Sequence, residues 1–381
     1  MLNRSLVLNT LLALLLLWSF SASAARPIPA APKIAASGYL LIDFDSGKAL
    51  AEKNADQPLE PASLTKIMTA YVIFREIAEG NINLSEEVLI SEKAWRMEGS
   101  RMFIEVGKRI KVETLLRGLI IQSGNDASVA LAEHIAGSES TFAQLMNNHA
   151  KRLSMTNTNF VNSTGLPHKD HFTTARDIAL VAAAAIREFP DFYKWYGEKS
   201  FLYNGIKQHN RNKLLWRDKS VDGMKTGHTK AAGYCLVASA KRENMRLISV
   251  VLGTRSEDAR AQESQSLLNY GFRFFETHKL YSANEPLSHA RIWKGDKKTL
   301  ALGLTKDLYI TIPRHSYKNL DAEMVLEPKL LAPISKGSAL GHVSIKLEGK
   351  SVVEVPLTAL EEIAEGNLFQ QLKDHTLLWF E

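Results

Sequence analysis

The chain has 381 residues, 45% hydrophobic and 23% charged, with a formal net charge of +6 and a single cysteine. That length allows two domains and a core that needs no metal or disulfide staple, and the composition excludes collagen-like, coiled-coil and wholly disordered chains. The basic excess is small and scattered, its longest runs being pairs such as Lys297–Lys298, so no nucleic-acid partner is expected.

Residues 1–24 read as a secretory signal peptide. Arg4 supplies the positive start, Leu6 to Trp18 is mostly apolar, and Ala22-Ser23-Ala24 is a small-x-small cleavage site. An uncleaved anchor is the competing reading. Export to an oxidising compartment suits a chain in which Cys235 has no second cysteine to pair with. Residues 25–33 are Pro/Ala-rich and read as an extended leader.

Gly38 to Phe44, a turn at Asp45-Ser46-Gly47 and Lys48-Ala49-Leu50 read as a hairpin. Ser63 to Ala78 reads as a helix, with apolar Ile67, Met68, Tyr71, Val72 and Ile73. Leu115–Ile121 and Ala127–Ile135 read as helices flanking a Ser-Gly-Asn break, and Thr174–Arg187 as an alanine-rich helix. Tyr234–Ala240 and Arg246–Leu252 alternate as strands, with Cys235 as buried filler, and Gln262–Phe275 closes as a helix. After a loop at 282–286 the texture changes to short strand-like runs at 308–312, 322–326, 342–347 and 352–355. The expected organisation is a mixed α/β domain over 25–284, a small all-β domain over 285–360 and an amphipathic segment over 361–381. In that last segment Leu368, Phe369, Leu372, Leu377, Leu378, Trp379 and Phe380 are apolar and only Lys373 is basic. It is either a membrane contact or a helix docked on its own domain.

The chemistry lies in short strings. Ser63-Leu64-Thr65-Lys66 opens a helix, Ser123-Gly124-Asn125 sits at a helix break, and Lys225-Thr226-Gly227 precedes a strand. On a helix, residues i and i+3 share a face, so the Lys66 amine reaches the Ser63 hydroxyl. A serine needs a base to become a nucleophile, and a lysine serves if burial and a neighbouring cation such as Lys225 depress its pKa. A helix start also presents free N–H groups to the reacting centre. Alone, Ser63 reads more readily as an ordinary N-cap and Lys66 as a solvated helix residue; the three strings in this order reverse that preference toward the serine-enzyme reading. Of the eleven histidines only His228, directly after the Lys-Thr-Gly string, is singled out. No HExxH or CxxC pattern occurs, so neither metal nor cofactor is expected.

With Pro61–Thr69, Gln122–Asp126, Gln208–Asn212, Asp222–Thr229, Tyr270–Glu276 and Glu365-Gly366-Asn367, the chain resembles the low-molecular-mass penicillin-binding proteins of the type-5 group, serine D-alanyl-D-alanine carboxypeptidases. The resemblance runs from about Gly38 to the end. It implies a penicillin-binding/β-lactamase-like transpeptidase fold with an all-β second domain. It implies Ser63 as the acylated nucleophile, Lys66 as base, Ser123 as proton relay and Lys225 as local positive charge. Asn125 would bind the substrate amide, and the N–H groups of Ser63 and His228 would form the oxyanion hole. Thr226 and Gly227 on the strand, with Arg260 in a 256–260 loop, would receive the terminal carboxylate, and Arg211 would stand behind them. Peptidoglycan stem peptides ending in D-Ala-D-Ala would be substrates and β-lactams covalent inhibitors. The enzyme would be periplasmic, held peripherally on the outer face of the inner membrane. A class A β-lactamase would need a deacylating glutamate in an ExxLN-like pattern between residues 125 and 225, and none is present. A silent wall-binding scaffold would have no use for Ser63, Lys66, Ser123 and Lys225 together.

Overall fold

The computed structural model describes residues 28–379, so the signal reading over 1–24, the first residues of the leader, and Phe380 and Glu381 lie outside the described residues. All the elements below lie in one compact unit, 31–381.

Strands β1 (Gly38–Asp43) and β2 (Ala49–Lys53) form the expected hairpin. With β3 (Val221–Thr229), β4 (Gly233–Arg242) and β5 (Met245–Thr254) they build an antiparallel sheet of order β2-β1-β5-β4-β3. Side chains alternate across a strand, so Leu40 and Ile42 enter one core and Tyr39 and Leu41 the other. Both faces are covered, which makes this an α/β architecture, as the mixed texture of the sequence implied.

The larger core packs around α1 (Thr65–Ala78), which is buried on all sides from Thr65 to Phe74. A largely apolar helix belongs in an interior, and this one runs through it with its polar Thr65, Lys66 and Thr69 hydrogen-bonded. A short 3-10 turn, Ala62–Leu64, precedes α1 and carries Ser63. A single π-turn over Gly118–Gln122 ends at Ser123, which is left-handed with φ 66°, and α2 (Asn125–Ala136) starts two residues later. The expected break at Ser-Gly-Asn is therefore a reversal of backbone hand. Helix α3 (Ala175–Glu188) packs in the same core, its alanines allowing close approach to β5.

The other face is covered by α4 (Glu257–Phe274) through Leu267, Leu268 and Phe272. This helix begins five residues before the expected Gln262, because its first turn is polar and shows no apolar period. Ser256 caps it, accepting from Ala259 N at 3.1 Å. Arg260 therefore lies in a first helical turn and not in a loop. Phe275 starts strand β6 (Phe275–Tyr281) instead of ending the helix.

Beyond it lie β7 (Ser288–Trp293), β8 (Thr299–Gly303), β9 (Leu308–Pro313), β10 (Leu320–Leu326), β11 (Leu330–Leu331), β12 (Ala339–Leu347) and β13 (Lys350–Ala359). Strand β6 pairs with β9, and the others form a sheet of order β10-β12-β13-β8-β7-β11. These strands share a separate core including Leu300, Leu302, Val343, Ile345 and Leu357. The runs β7 and β8 escape sequence reading because His289 and Arg291 dilute one and Gly303 ends the other.

The tail is helix α5 (Leu368–Leu377), capped by Asn367. One side is tied down: Asp374 is buried and accepts from Lys294 N at 2.7 Å, and Gly366 N donates to Lys294 O. The other side points outward, with Leu368 85%, Phe369 80% and Trp379 83% exposed. Among the described residues no helix is long and apolar enough to cross a membrane.

Candidate active site

A cleft of about 370 Å³ opens where the 3-10 turn, the Ser123 reversal, β3 and the start of α4 converge. Ser63, Ser123, Asn125, Arg211, Thr226, Gly227, His228 and Arg260 all line it, so residues separated by nearly two hundred positions meet in one cavity. The close approach of β3 to the turn depends on Gly227, where a Cβ would lie 3.0 Å from Pro61 O and 3.2 Å from Ala62 Cβ.

Lys66 is fully buried behind Ser63. Its Nζ lies 3.2 Å from Ser63 Oγ and 2.7 Å from both Asn125 Oδ1 and Thr164 O. An uncharged amine has two hydrogens and one lone pair. If the two short contacts take the hydrogens, the lone pair faces the serine hydroxyl. Burial, and then the Arg211 guanidinium, bring the Lys66 pKa down to about 7. The sequence offers Lys225 as one such neighbouring cation. In the structure the repulsion is felt by Lys225 itself, whose pKa is pushed well below its ordinary value by burial, Lys66, Arg211 and Arg260. Lys225 is buried, its Nζ donating to Thr226 O at 3.1 Å.

Ser123 Oγ is buried with no hydrogen-bond partner among the described residues. An unsatisfied buried hydroxyl is costly by about 1–3 kcal/mol, and such groups concentrate at sites that wait for a partner. Asn125 is held at both ends, accepting from Lys66 and donating from Nδ2 to Glu98 O at 2.6 Å. Asp126 accepts from the backbone N–H groups of Met102, Phe103 and Ile104, fixing the loop whose Gly99 and Ser100 form one wall.

Opposite stands a cationic wall. Arg260 is 4% exposed, donates from Nη1 to Gly227 O at 3.2 Å and lies 5.6 Å from the Tyr234 ring centroid. His228 stacks on the same ring at 4.0 Å. Glu257 reaches within 3.9 Å of Arg260 at the rim. Arg211 and Arg260 are guanidinium groups suited to a bidentate carboxylate partner. The cavity thus has a hydroxyl facing a near-neutral amine at one end and a carboxylate-sized cationic pocket at the other.

Thr164, Gly165, Leu166, Tyr234 and Glu257 also line the cleft and were not singled out in the sequence. Thr164 acts through its carbonyl, which no side-chain pattern reveals. Tyr234 reads as an ordinary strand aromatic. Among the described residues no cluster of metal-ligating side chains occurs.

Comparison with known proteins shows the family. The family model of D-alanyl-D-alanine carboxypeptidases matches residues 25–256, and that of the penicillin-binding protein 5 C-terminal domain matches 275–365. The chain is 45% identical over 376 residues to the D-alanyl-D-alanine carboxypeptidase DacC of Escherichia coli, covering 97% of this chain and 94% of that one. Its structure is similar to penicillin-binding protein 5 from Haemophilus influenzae, with TM-score 0.86, 43% identity, and coverage of 88% of this chain and 100% of the other. It is also similar to the ampicillin-bound penicillin-binding protein D2 of Listeria monocytogenes, with TM-score 0.59, 29% identity, and coverage of 64% of this chain and 100% of that one.

Proposed function

The chain belongs to the D-alanyl-D-alanine carboxypeptidase family, and from that premise we propose that it removes the terminal D-alanine from peptidoglycan stem peptides by an acyl-enzyme route. The observation that carries the reading is the contact of Ser63 with a buried lysine whose pKa is brought to about 7.

Ser63 Oγ attacks the carbonyl of the penultimate D-Ala while its proton passes to Lys66 Nζ. The C–N bond breaks, and Ser123 relays a proton to the departing amine of the terminal D-Ala. Water then hydrolyses the Ser63 ester. The N–H groups of Ser63 and His228 receive the developing oxyanion, where one lost donor typically costs about 3–4 kcal/mol. Asn125 binds the peptide amide with the Nδ2 hydrogen not given to Glu98. Thr226, Gly227 and Arg260 hold the free carboxylate and Arg211 adds positive potential, while Lys225, whose charge burial disfavours, supports the strand behind them by donating to Thr226 O. A β-lactam enters the same route and stays as an ester on Ser63, so penicillins are inhibitors. The working protein begins after a signal over 1–24 and carries its chemistry in the α/β domain, which ends before β6 rather than at the expected 284, since β6 pairs with β9 of the β domain. It acts in the periplasm, attached to the outer face of the inner membrane through the 361–381 segment, whose outward apolar row supports that attachment.

The test is D-alanine release from an acyl-D-Ala-D-Ala peptide and from its C-terminal amide. Arg260→Ala and Thr226→Val should each lower activity on the free acid by roughly 10- to 100-fold, the range for a charged hydrogen bond, and on the amide far less. Equal losses on both would move the carboxylate pocket elsewhere. Absence of D-alanine release by the unaltered protein would overturn the function.

A further inference from the structure

The peptide bond joining Ala62 to Ser63 is held by a chain of buried side chains that does not touch the cleft. Ala62 is left-handed, φ 47°, an uncommon conformation for alanine that its surroundings must impose. Its carbonyl oxygen accepts from the Thr65 N–H and from Thr65 Oγ1, the latter at 2.8 Å. Thr65 Oγ1 lies 2.9 Å from His171 Nε2. The far side of that ring is also committed, Val161 N–H donating to His171 Nδ1 at 3.2 Å.

These contacts fix the direction of every bond. Since Nδ1 accepts, a neutral ring carries its proton on Nε2. Nε2–H then donates to Thr65 Oγ1, whose own hydrogen is left for Ala62 O. Burial, with His168 the next cause, brings the His171 pKa down to about 4, so the neutral form persists. His171 and Thr65 are both buried, and Phe160 meets the imidazole edge-on at 5.7 Å. Gly165 closes the cradle, for a Cβ there would lie 1.8 Å from Ala62 O.

In a trans peptide the C=O and N–H point in opposite directions. Anchoring Ala62 O therefore sets the aim of the Ser63 N–H, and hydrogen bonds in series polarise one another. We propose that His171, acting through Thr65 on the Ala62 carbonyl, is a positioning residue that aims and polarises the Ser63 N–H toward the oxyanion. The proposal rests on the reading of Ser63 as the nucleophile and deepens it. Neither residue meets substrate.

The test uses the full chain acylated with benzylpenicillin, with two readouts: the acylation rate, and the infrared stretching frequency of the acyl-ester carbonyl isolated by carbon-13 labelling. Thr65→Val and His171→Phe should slow acylation by about 10-fold, part of the effect of losing an oxyanion donor, and raise the carbonyl frequency as its hydrogen bond weakens. Thr65→Ser and His171→Gln keep an O–H and an N–H donor and should recover most of both. A merely structural role would lower the melting temperature and leave the frequency of the folded, acylated protein unchanged; that result overturns the proposal, as does a His171→Gln variant no better than His171→Phe. If Thr65→Val does not fold, the His171 pair decides. An unaltered protein with no adduct on Ser63 would instead overturn the nucleophile reading beneath it.

Discussion

At the scale of single residues, the proposed mechanism turns on the protonation of Lys66. Charged, its Nζ has three hydrogens for Ser63, Asn125 and Thr164 and no lone pair for a proton. Neutral, it presents that lone pair to the serine. Its pKa near 7, set first by burial and then by Arg211, gives the sign. Above 7 the amine is mostly neutral and acylation should be at its plateau; below 7 the rate should fall tenfold per pH unit as the base is lost. Stopped-flow acylation by a penicillin between pH 5 and 9 reads this directly, and a flat profile would remove Lys66 from the role of base. Removing the amine, Lys66→Ala, should cost roughly 10²- to 10⁴-fold at pH 8, the usual contribution of a general base.

Among the elements, α4 deserves its own test because its first turn carries Arg260. Ser256 caps that turn, so Ser256→Ala should destabilise the protein by about 1 kcal/mol, read as a lowered denaturation midpoint. The same variant should weaken turnover of free-acid peptides more than acylation by an ester lacking the carboxylate, because Arg260 moves with the turn. An unchanged midpoint would mean the cap is idle. This helix also shows where sequence reading reaches and where it stops. The pair Ser63 and Lys66 is legible because three-residue spacing on a helix fixes a shared face, and the strands β4 and β5 because their β-branched and apolar residues alternate over a strand's length. The first turn of α4 was not, since Glu257 and Asp258 carry no apolar period, although the Ser256 cap was a usable signal. Thr164 and Ala62 were out of reach for a different reason: each acts through its backbone carbonyl, which only the folded chain directs. His171 looked like any scattered histidine until the fold set it against Thr65.

For the whole molecule, the catalytic cleft and the outward apolar row of α5 are separate features. Leu368, Phe369, Leu372 and Trp379 are exposed, while Asp374 ties the opposite side of the helix to Lys294. Fully burying one large apolar side chain is worth about 1.5–3 kcal/mol, so partial insertion of several holds a peripheral protein on a bilayer without many basic residues. The mature protein should pellet with membranes, resist high salt and be released by detergent. A chain ending at Gly366 should fractionate as soluble and still cleave soluble peptide, since the cleft is lined by residues 63–260. A full-length mature protein found in the soluble fraction would leave α5 as a helix docked on its own domain. The central claim, that Ser63 is the residue acylated, is met most directly by peptide-mapping mass spectrometry of the full chain after treatment with benzylpenicillin. One penicilloyl adduct is expected, on the peptide containing Ser63 and absent from Ser63→Ala; an adduct on any other residue, or none, would remove Ser63 from the nucleophile's role.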